Sequence, residues 1–206
     1  MKFFERYDKA YCISLKRRQD RRESFDSEVK KYDLGSYEFF DAIDGKSLNR
    51  EDYIERIPLG NIGLTMTTIK LLKKAIIKKY STILLMEDDC IFTDEINNVQ
   101  EYIDLVPENW DMLYFGGNHY GWHEHFRINE KILNIKKTHM AHCIAIKSNM
   151  FKILINELQK FETENDNVYM KIQQNYSVYC VFPSIAKQID GISDIQNGYV
   201  NYLGLH

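Results

Sequence analysis

The sequence predicts an α/β protein, a mostly parallel central sheet flanked by helices, and three observations lead there. Short apolar and β-branched runs alternate with longer helix-forming stretches along the chain. One run, Ser81 to Met86 (STILLM), is nearly continuous in apolar residues, as suits a strand buried on both faces. That run ends directly in three carboxylates, Glu87, Asp88 and Asp89, at the strand end where α/β sheets bind ligands.

Taken in order, the elements follow one grammar. Ala10 to Leu15 (AYCISL) reads as a strand that enters a polar helix over Arg17 to Lys31. Within that helix Phe25, Val29 and Tyr32 recur at helical spacing and give it one face for a sheet. Tyr37 to Phe40 reads as a second strand, closed by the turn signal Asp41-Ala42-Ile43-Asp44-Gly45. Asn61 to Lys79 is helical, with a stripe of Ile62, Ile69, Leu72 and Ile76 and with lysines in its last turns, where the helix dipole favours cations. After the acidic strand come a helix from Glu95 to Val106, stopped by Pro107, and a strand from Trp110 to Phe115, stopped by Gly116-Gly117. Ala141 to Lys147 is a further strand, Ser148 is expected to cap a helix bearing Phe151, Leu154, Ile155 and Leu158, and Val168 to Gln174 is helical. Val178 to Phe182 closes the series as a late strand.

Composition bounds the function. With 206 residues, 44% apolar and 28% charged, the chain is expected to fold as a single domain over 1–206 without staples. A net charge of -3 gives no overall pull toward nucleic acid. Met1 to Arg6 lacks the pattern of a signal peptide, and no run approaches the ~18 apolar residues of a membrane span, so a cytoplasmic setting, bacterial or viral, is expected, with peripheral membrane association compatible. Cys12, Cys90, Cys143 and Cys180 lack paired spacing and sit in apolar runs, which favours reduced, buried thiols.

Several clusters have the residue types for chemistry. Glu87, Asp88 and Asp89 repel one another after a buried strand, which calls for a cation; hard oxygen ligands select Mg2+ or Mn2+, and a solvated turn with a capping Asp is the competing reading. Lys16, Arg17, Arg18, Arg21 and Arg22 follow the first strand, where guanidiniums can meet phosphates, although such a run is more often a solvated face. Asp41 and Asp44 flank a strand end that can read a base or ribose, or simply form a hydrogen-bonded turn. His119, His123 and His125 suggest an aromatic acceptor loop with Tyr120 and Trp122 more than a transition-metal site, and His139 and His142 read as core or edge histidines. Gln188, Asp190, Ser193 and Asp194 gather at a late strand exit, and Asp166 is either a helix cap or a base in a cleft.

Together and in order, YCISLKRRQDRR, FFDAIDG, GNIGLTMTTIKLL, ILLMEDDCIF, WDMLYFGG, AHCIAIK and the stretch from Pro183 to Asp194 resemble glycosyltransferase family 25, the lipooligosaccharide and procollagen-type transferases. The resemblance implies a Rossmann-like nucleotide-sugar transferase fold of the GT-A type, a UDP-sugar donor, usually UDP-galactose, and inversion at the anomeric carbon. It implies donor contacts at Ser14, Leu15, Arg18, Arg21, Asp41, Ala42, Asp88 and Gln188 and a Mn2+ or Mg2+ held by Glu87, Asp88 and Asp89; for the base of such a transfer the expected residue is Asp166 or, second, Asp194. The implied partners are the nucleotide-sugar donor and a glycan, glycolipid or glycoprotein acceptor. Ser14, Asn61, Thr67, Thr68 and His142 depart from the family pattern and bear on donor sugar and acceptor. A non-catalytic family member and a metal-dependent nucleotidyltransferase or phosphohydrolase are the rival readings.

Overall fold

A computed structural model describes residues 1–119, 125–195 and 198–201. Its centre is an eight-stranded sheet. Strand β1 (Lys9–Ser14) lies between β2 (Glu38–Asp41) and β3 (Thr82–Glu87), parallel to both. Beyond β3 come β10 (Cys143–Lys147), β5 (Met112–Tyr114), β11 (Val178–Val181), β8 (Ile132–Asn134) and, at the edge, β7 (Phe126–Arg127). Six short strands among the described residues lie outside the sheet's order: β6 (Asn118–His119) pairs with β9 (Thr138–His139), β4 (Cys90–Phe92) with β12 (Ala186–Gln188), and β13 (Gly191–Ser193) with β14 (Gly198–Val200) as antiparallel ribbons.

The α/β class stands, but the sheet is mixed rather than mostly parallel. Strand β10 runs antiparallel to both β3 and β5, and β8 runs antiparallel to β11 and β7. A parallel return needs a crossover, usually a helix, whereas between β5 and β10 the described residues hold only short strands and turns. The reading of β10 as one more strand after a helix-less stretch therefore leaves its direction open, and the chain takes the antiparallel one.

Alternation along each strand divides the core in two. Tyr11, Ile13, Ile83, Leu85, Ile144 and Ile146 face one side, where they meet α2 (Leu59–Lys78), α4 (Ser148–Leu158) and α5 (Asn165–Asn175) through residues such as Leu72, Phe151 and Tyr169. Ala10, Cys12, Leu84, Met86, Cys143 and Ala145 face the other, covered by α1 (Gln19–Lys31) through Phe25 and Val29 and by α3 (Val99–Asp104) through Tyr102. Three strands buried on both faces explain why STILLM and AHCIAIK read as near-continuous apolar runs. All four cysteines are buried and unbridged, as their spacing implied.

Three local expectations change. The helix expected from Glu95 to Val106 is a 3-10 turn over Asp94–Asn98 followed by the short α3. Ser148 is the first residue of α4 and Lys147 its N-cap, without a side-chain capping bond. Asp166 lies inside the first turn of α5, whose N-cap is Glu164.

Candidate active site

The carboxyl ends of the three parallel strands β1, β2 and β3 open on one cleft. Its wall contains Ser14 and Leu15 from the end of β1, Ala42 to Gly45 from the end of β2, and Glu87, Asp88 and Asp89 from the end of β3. Arg21 from α1, Leu64 from α2, and Gln188, Ser193, Asp194 and Ile195 from the late segment complete it. Helix α2 presses onto the β2 loop here: a Cβ on Gly63 would stand 2.3 Å from the Ile43 carbonyl oxygen, so only glycine fits at that crossing. Thr67, in the same helix, receives the Ile43 backbone N–H at 2.8 Å and fixes the loop from which Ala42 and Asp44 line the cleft.

The acidic turn is buried rather than solvated. Asp88 and Asp89 are 7% and 6% exposed, and one Arg21 nitrogen, Nη1, donates to both, at 2.8 and 3.2 Å. Gln188 donates its side-chain amide to the second Asp89 oxygen at 3.2 Å. Burial raises the Asp88 carboxyl, with Asp89 adding to the rise and Arg21 opposing it. Burial likewise pushes Glu87 well above the usual carboxylate range, reinforced by Asp89, Asp166 and Asp88.

A second cleft adjoins the first, sharing Glu87, Leu64, Gln188, Ser193 and Ile195 with it. Asp166, Asn165, Asn61, Met140 and Ala141 form its far wall. The Asp166 Oδ2 accepts the backbone N–H of Met140 at 3.2 Å, and Met140 itself holds the left-handed conformation, φ 67°. Burial raises the Asp166 carboxyl, opposed by the Met140 and Ala141 amides and by His139. Asn61 and Thr65 tie α2 to Asn165 at the start of α5, which sets Asp166 relative to the acidic turn.

The model of "Glycosyltransferase family 25 (LPS biosynthesis protein)" matches residues 7–188, most of the chain. The chain belongs to glycosyltransferase family 25. Procollagen galactosyltransferase 2 of Mus musculus is 26% identical over 130 residues, covering 53% of this chain and 21% of that one. Its Homo sapiens counterpart is 25% identical over the same length and coverage, so the match spans about a fifth of these curated relatives. Among solved structures, a glycosyltransferase involved in the glycosylation of the major capsid of PBCV-1 aligns over 85% of this chain and 93% of that one, with 10% identity and a TM-score of 0.46.

In this family 25 chain, Ser14, Leu15, Arg21, Ala42, Glu87, Asp88, Asp89, Gln188 and Asp194 share one cleft, and Asp166 lies in the adjoining one. Two expected donor contacts turn elsewhere. Asp41 is 58% exposed and pairs with Arg22 at 2.5 Å, and Arg18 is engaged by Asp20 at 2.7 Å and by Asp194. Asn61, singled out in the sequence as a departure from the family pattern, lines the second cleft; Met140, Asn165 and Ile195 were not legible as site residues, because each reaches the cleft only through helix packing or a loop crossing. Arg17 stood within a basic run and gave no sign that it differs from its neighbours; the structure places it on both Asp44, at 2.6 Å, and Asp194, at 2.7 Å. His123, with Tyr120 and Trp122, lies outside the described residues. His119 contacts Thr138 Oγ1 at 2.8 Å and the His125 ring, and burial, then His125, lowers it to about 4. His142, just before β10, is fully buried.

Among the described residues no three His, Cys, Asp or Glu side chains converge as a ready-made ligand set. The acidic turn nevertheless fits a hard divalent cation. Asp88 and Asp89 bring two carboxylates to the cleft against the one Arg21 guanidinium that pairs them, and Mg2+ or Mn2+ is commonly held by one or two carboxylates, with phosphate and water completing the shell. No helix among the described residues is long and apolar enough to cross a membrane.

Proposed function

We propose that this chain is a metal-assisted inverting transferase of the GT-A type, moving a hexosyl group from a UDP-sugar to a hydroxyl of a glycan, glycolipid or glycoprotein. Galactose is the favoured sugar, with glucose or N-acetylglucosamine as alternatives. The observation that carries the reading is the pair of adjoining clefts that meet at Glu87, one ringed by strand ends and an acidic turn, the other holding Asp166.

In this reading the uridine and ribose lie against Ser14, Leu15 and the Ala42 to Gly45 loop, with the diphosphate directed toward Arg21 and the acidic turn. Asp88 and Asp89 would hold the cation, which supplies charge neutralisation of the departing UDP. Asp166 takes the proton from the acceptor hydroxyl as that oxygen attacks the anomeric carbon on the face opposite UDP. Its buried carboxylate is oriented by the Met140 amide, and its raised affinity for a proton suits a base. Asp194 fits that role poorly. Burial acts to raise its carboxyl, but the Arg17 and Arg18 guanidiniums outweigh this and hold it below the ordinary range, tying up both oxygens.

The test is release of UDP from a panel of UDP-sugars with Mn2+ and a mixture of hydroxyl acceptors, followed by anomeric assignment of the product. UDP release with an inverted glycoside supports the proposal. Pyrophosphate or phosphate as the released group would replace it with nucleotidyl transfer or phosphohydrolysis, and donor binding without turnover would favour a binding domain.

A further inference from the structure

Among the described residues the same cleft carries five carboxylates, Asp44, Glu87, Asp88, Asp89 and Asp194, and one guanidinium, that of Arg21. Arg17 and Arg18 are absent from that wall; each turns one terminal nitrogen onto Asp194, while Arg17 Nε also donates to Asp44 at 2.6 Å and Arg18 Nη2 to Asp20 at 2.7 Å. Arg17 Nη2 donates to Asp194 Oδ1 at 2.7 Å and Arg18 Nη1 donates to Oδ2 at 2.5 Å. A carboxylate with one oxygen on each of two guanidiniums occupies an anion site made for two-oxygen recognition. A diphosphate arriving beside it would face a like charge at contact distance, and both cannot hold the same two forks.

The segment that carries Asp194 is held to the cleft mainly through polar ties. Arg21 Nη2 donates to the Ile192 carbonyl at 2.8 Å, and Ile189 N–H donates to the Asp89 carbonyl at 3.0 Å. Its chain crosses α2 at Gly60, where a Cβ would stand 2.6 Å from the Ile195 Cα. The large apolar side chains of its ribbon, the cross-strand pair Ile192 and Tyr199, point outward, 64% and 72% exposed. Ile189 and Ile195 are only half-buried, so the apolar burial that opposes lifting Asp194 off the arginines is partial.

We propose that Asp194 is a built-in counter-anion seated in a phosphate-binding site formed by Arg17 and Arg18, and that the diphosphate of the donor enters by displacing it. The inference rests on the donor reading above and adds to it two things. Arg17 becomes a donor-binding residue, and the 189–195 segment becomes a strap that exchanges its own carboxylate for the substrate's phosphates. In the unliganded enzyme the strap keeps the two guanidiniums paired and closed to other anions, so binding selects ligands that can also engage the rest of the cleft.

The test is calorimetric titration of the full chain with inorganic pyrophosphate and with UDP, each in chelator and in Mn2+, for the wild type and Asp194→Asn. The asparagine keeps the shape and the hydrogen-bonding oxygen and removes the competing charge. Pyrophosphate is expected to bind the variant at least ~10-fold more tightly than the wild type, since charge-assisted pairs no longer need to be exchanged. Arg17→Ala should lose that gain, and in the wild type pyrophosphate should speed amide exchange at Ile192 to Ile195. Equal or weaker binding by Asp194→Asn overturns the counter-anion, as does unchanged exchange on the strap. If pyrophosphate behaves as expected while UDP binds neither protein, the anion site stands and the donor reading falls.

Discussion

Asp166 and Asp89 separate chemistry from binding at the level of single residues. Asp166→Asn preserves size and the Met140 contact but removes the carboxylate proposed as base, so kcat should fall by roughly 10²- to 10⁴-fold with the KM for the proposed UDP-sugar donor little changed. Steady-state kinetics at saturating acceptor checks this, and full activity would remove Asp166 as base. The base works only when deprotonated, so kcat/KM should decline as pH falls through a value above the ordinary carboxylate value of 3.8, because burial raises this group. That acidic limb should vanish from the residual activity of Asp166→Asn. Asp89→Ala removes a carboxylate that Arg21 and Gln188 both hold, and donor binding measured by titration should lose its dependence on Mn2+. The acidic triplet was visible in the sequence because three carboxylates after an apolar strand are rare company. The pairing of Arg17 with Asp194, at positions far apart in the chain, was not, since neither residue's neighbours hint at the other.

Helix α2 and the loop after β2 form a unit whose spacing sets the end of the cleft proposed to take the nucleotide. Gly63→Ala forces a methyl group to within 2.3 Å of the Ile43 oxygen, so either the helix or the loop must move. Overpacking of this kind costs ~1–3 kcal/mol, which thermal unfolding should show as a lower Tm, and the displaced loop should also raise the KM for the UDP-sugar. A variant with wild-type Tm and KM would mean that the crossing is slack. The helix itself was legible from its apolar stripe, and Leu72 and Ile69 are buried as that stripe requires. Its contact with the loop was not, because a glycine inside a helix gives no partner's address. The same limit applies to the Glu95 to Val106 stretch, where residues with helical preference form a 3-10 turn and then a short helix under Tyr102.

Across the whole molecule, two apolar layers on one mixed sheet carry the stability that the clefts draw on. Leu72→Ala, at a site with no exposure, should cost ~2–5 kcal/mol and lower Tm by several degrees in a chain of this length without changing cleft residues. A bound donor acts in the opposite direction: at a hundred times its Kd it adds ~2.7 kcal/mol, so a UDP-sugar with Mn2+ should raise Tm and chelator should reverse the rise. No rise with any nucleotide sugar in folded protein would count against the donor reading. What the sequence by itself determined was the α/β class, the family, most helices and strands, and the acidic turn at the end of β3, because those follow from local periodicity and from short ordered blocks that survive in one dimension. Only the tertiary structure decided the antiparallel direction of β10, the meeting of Asp166 with Glu87 between two clefts, and the closure of Arg17 and Arg18 on Asp194. The physical reason is that local propensity fixes which backbone hydrogen bonds form within an element, whereas strand direction and ion pairing depend on partners that the chain brings together only when its apolar faces are buried.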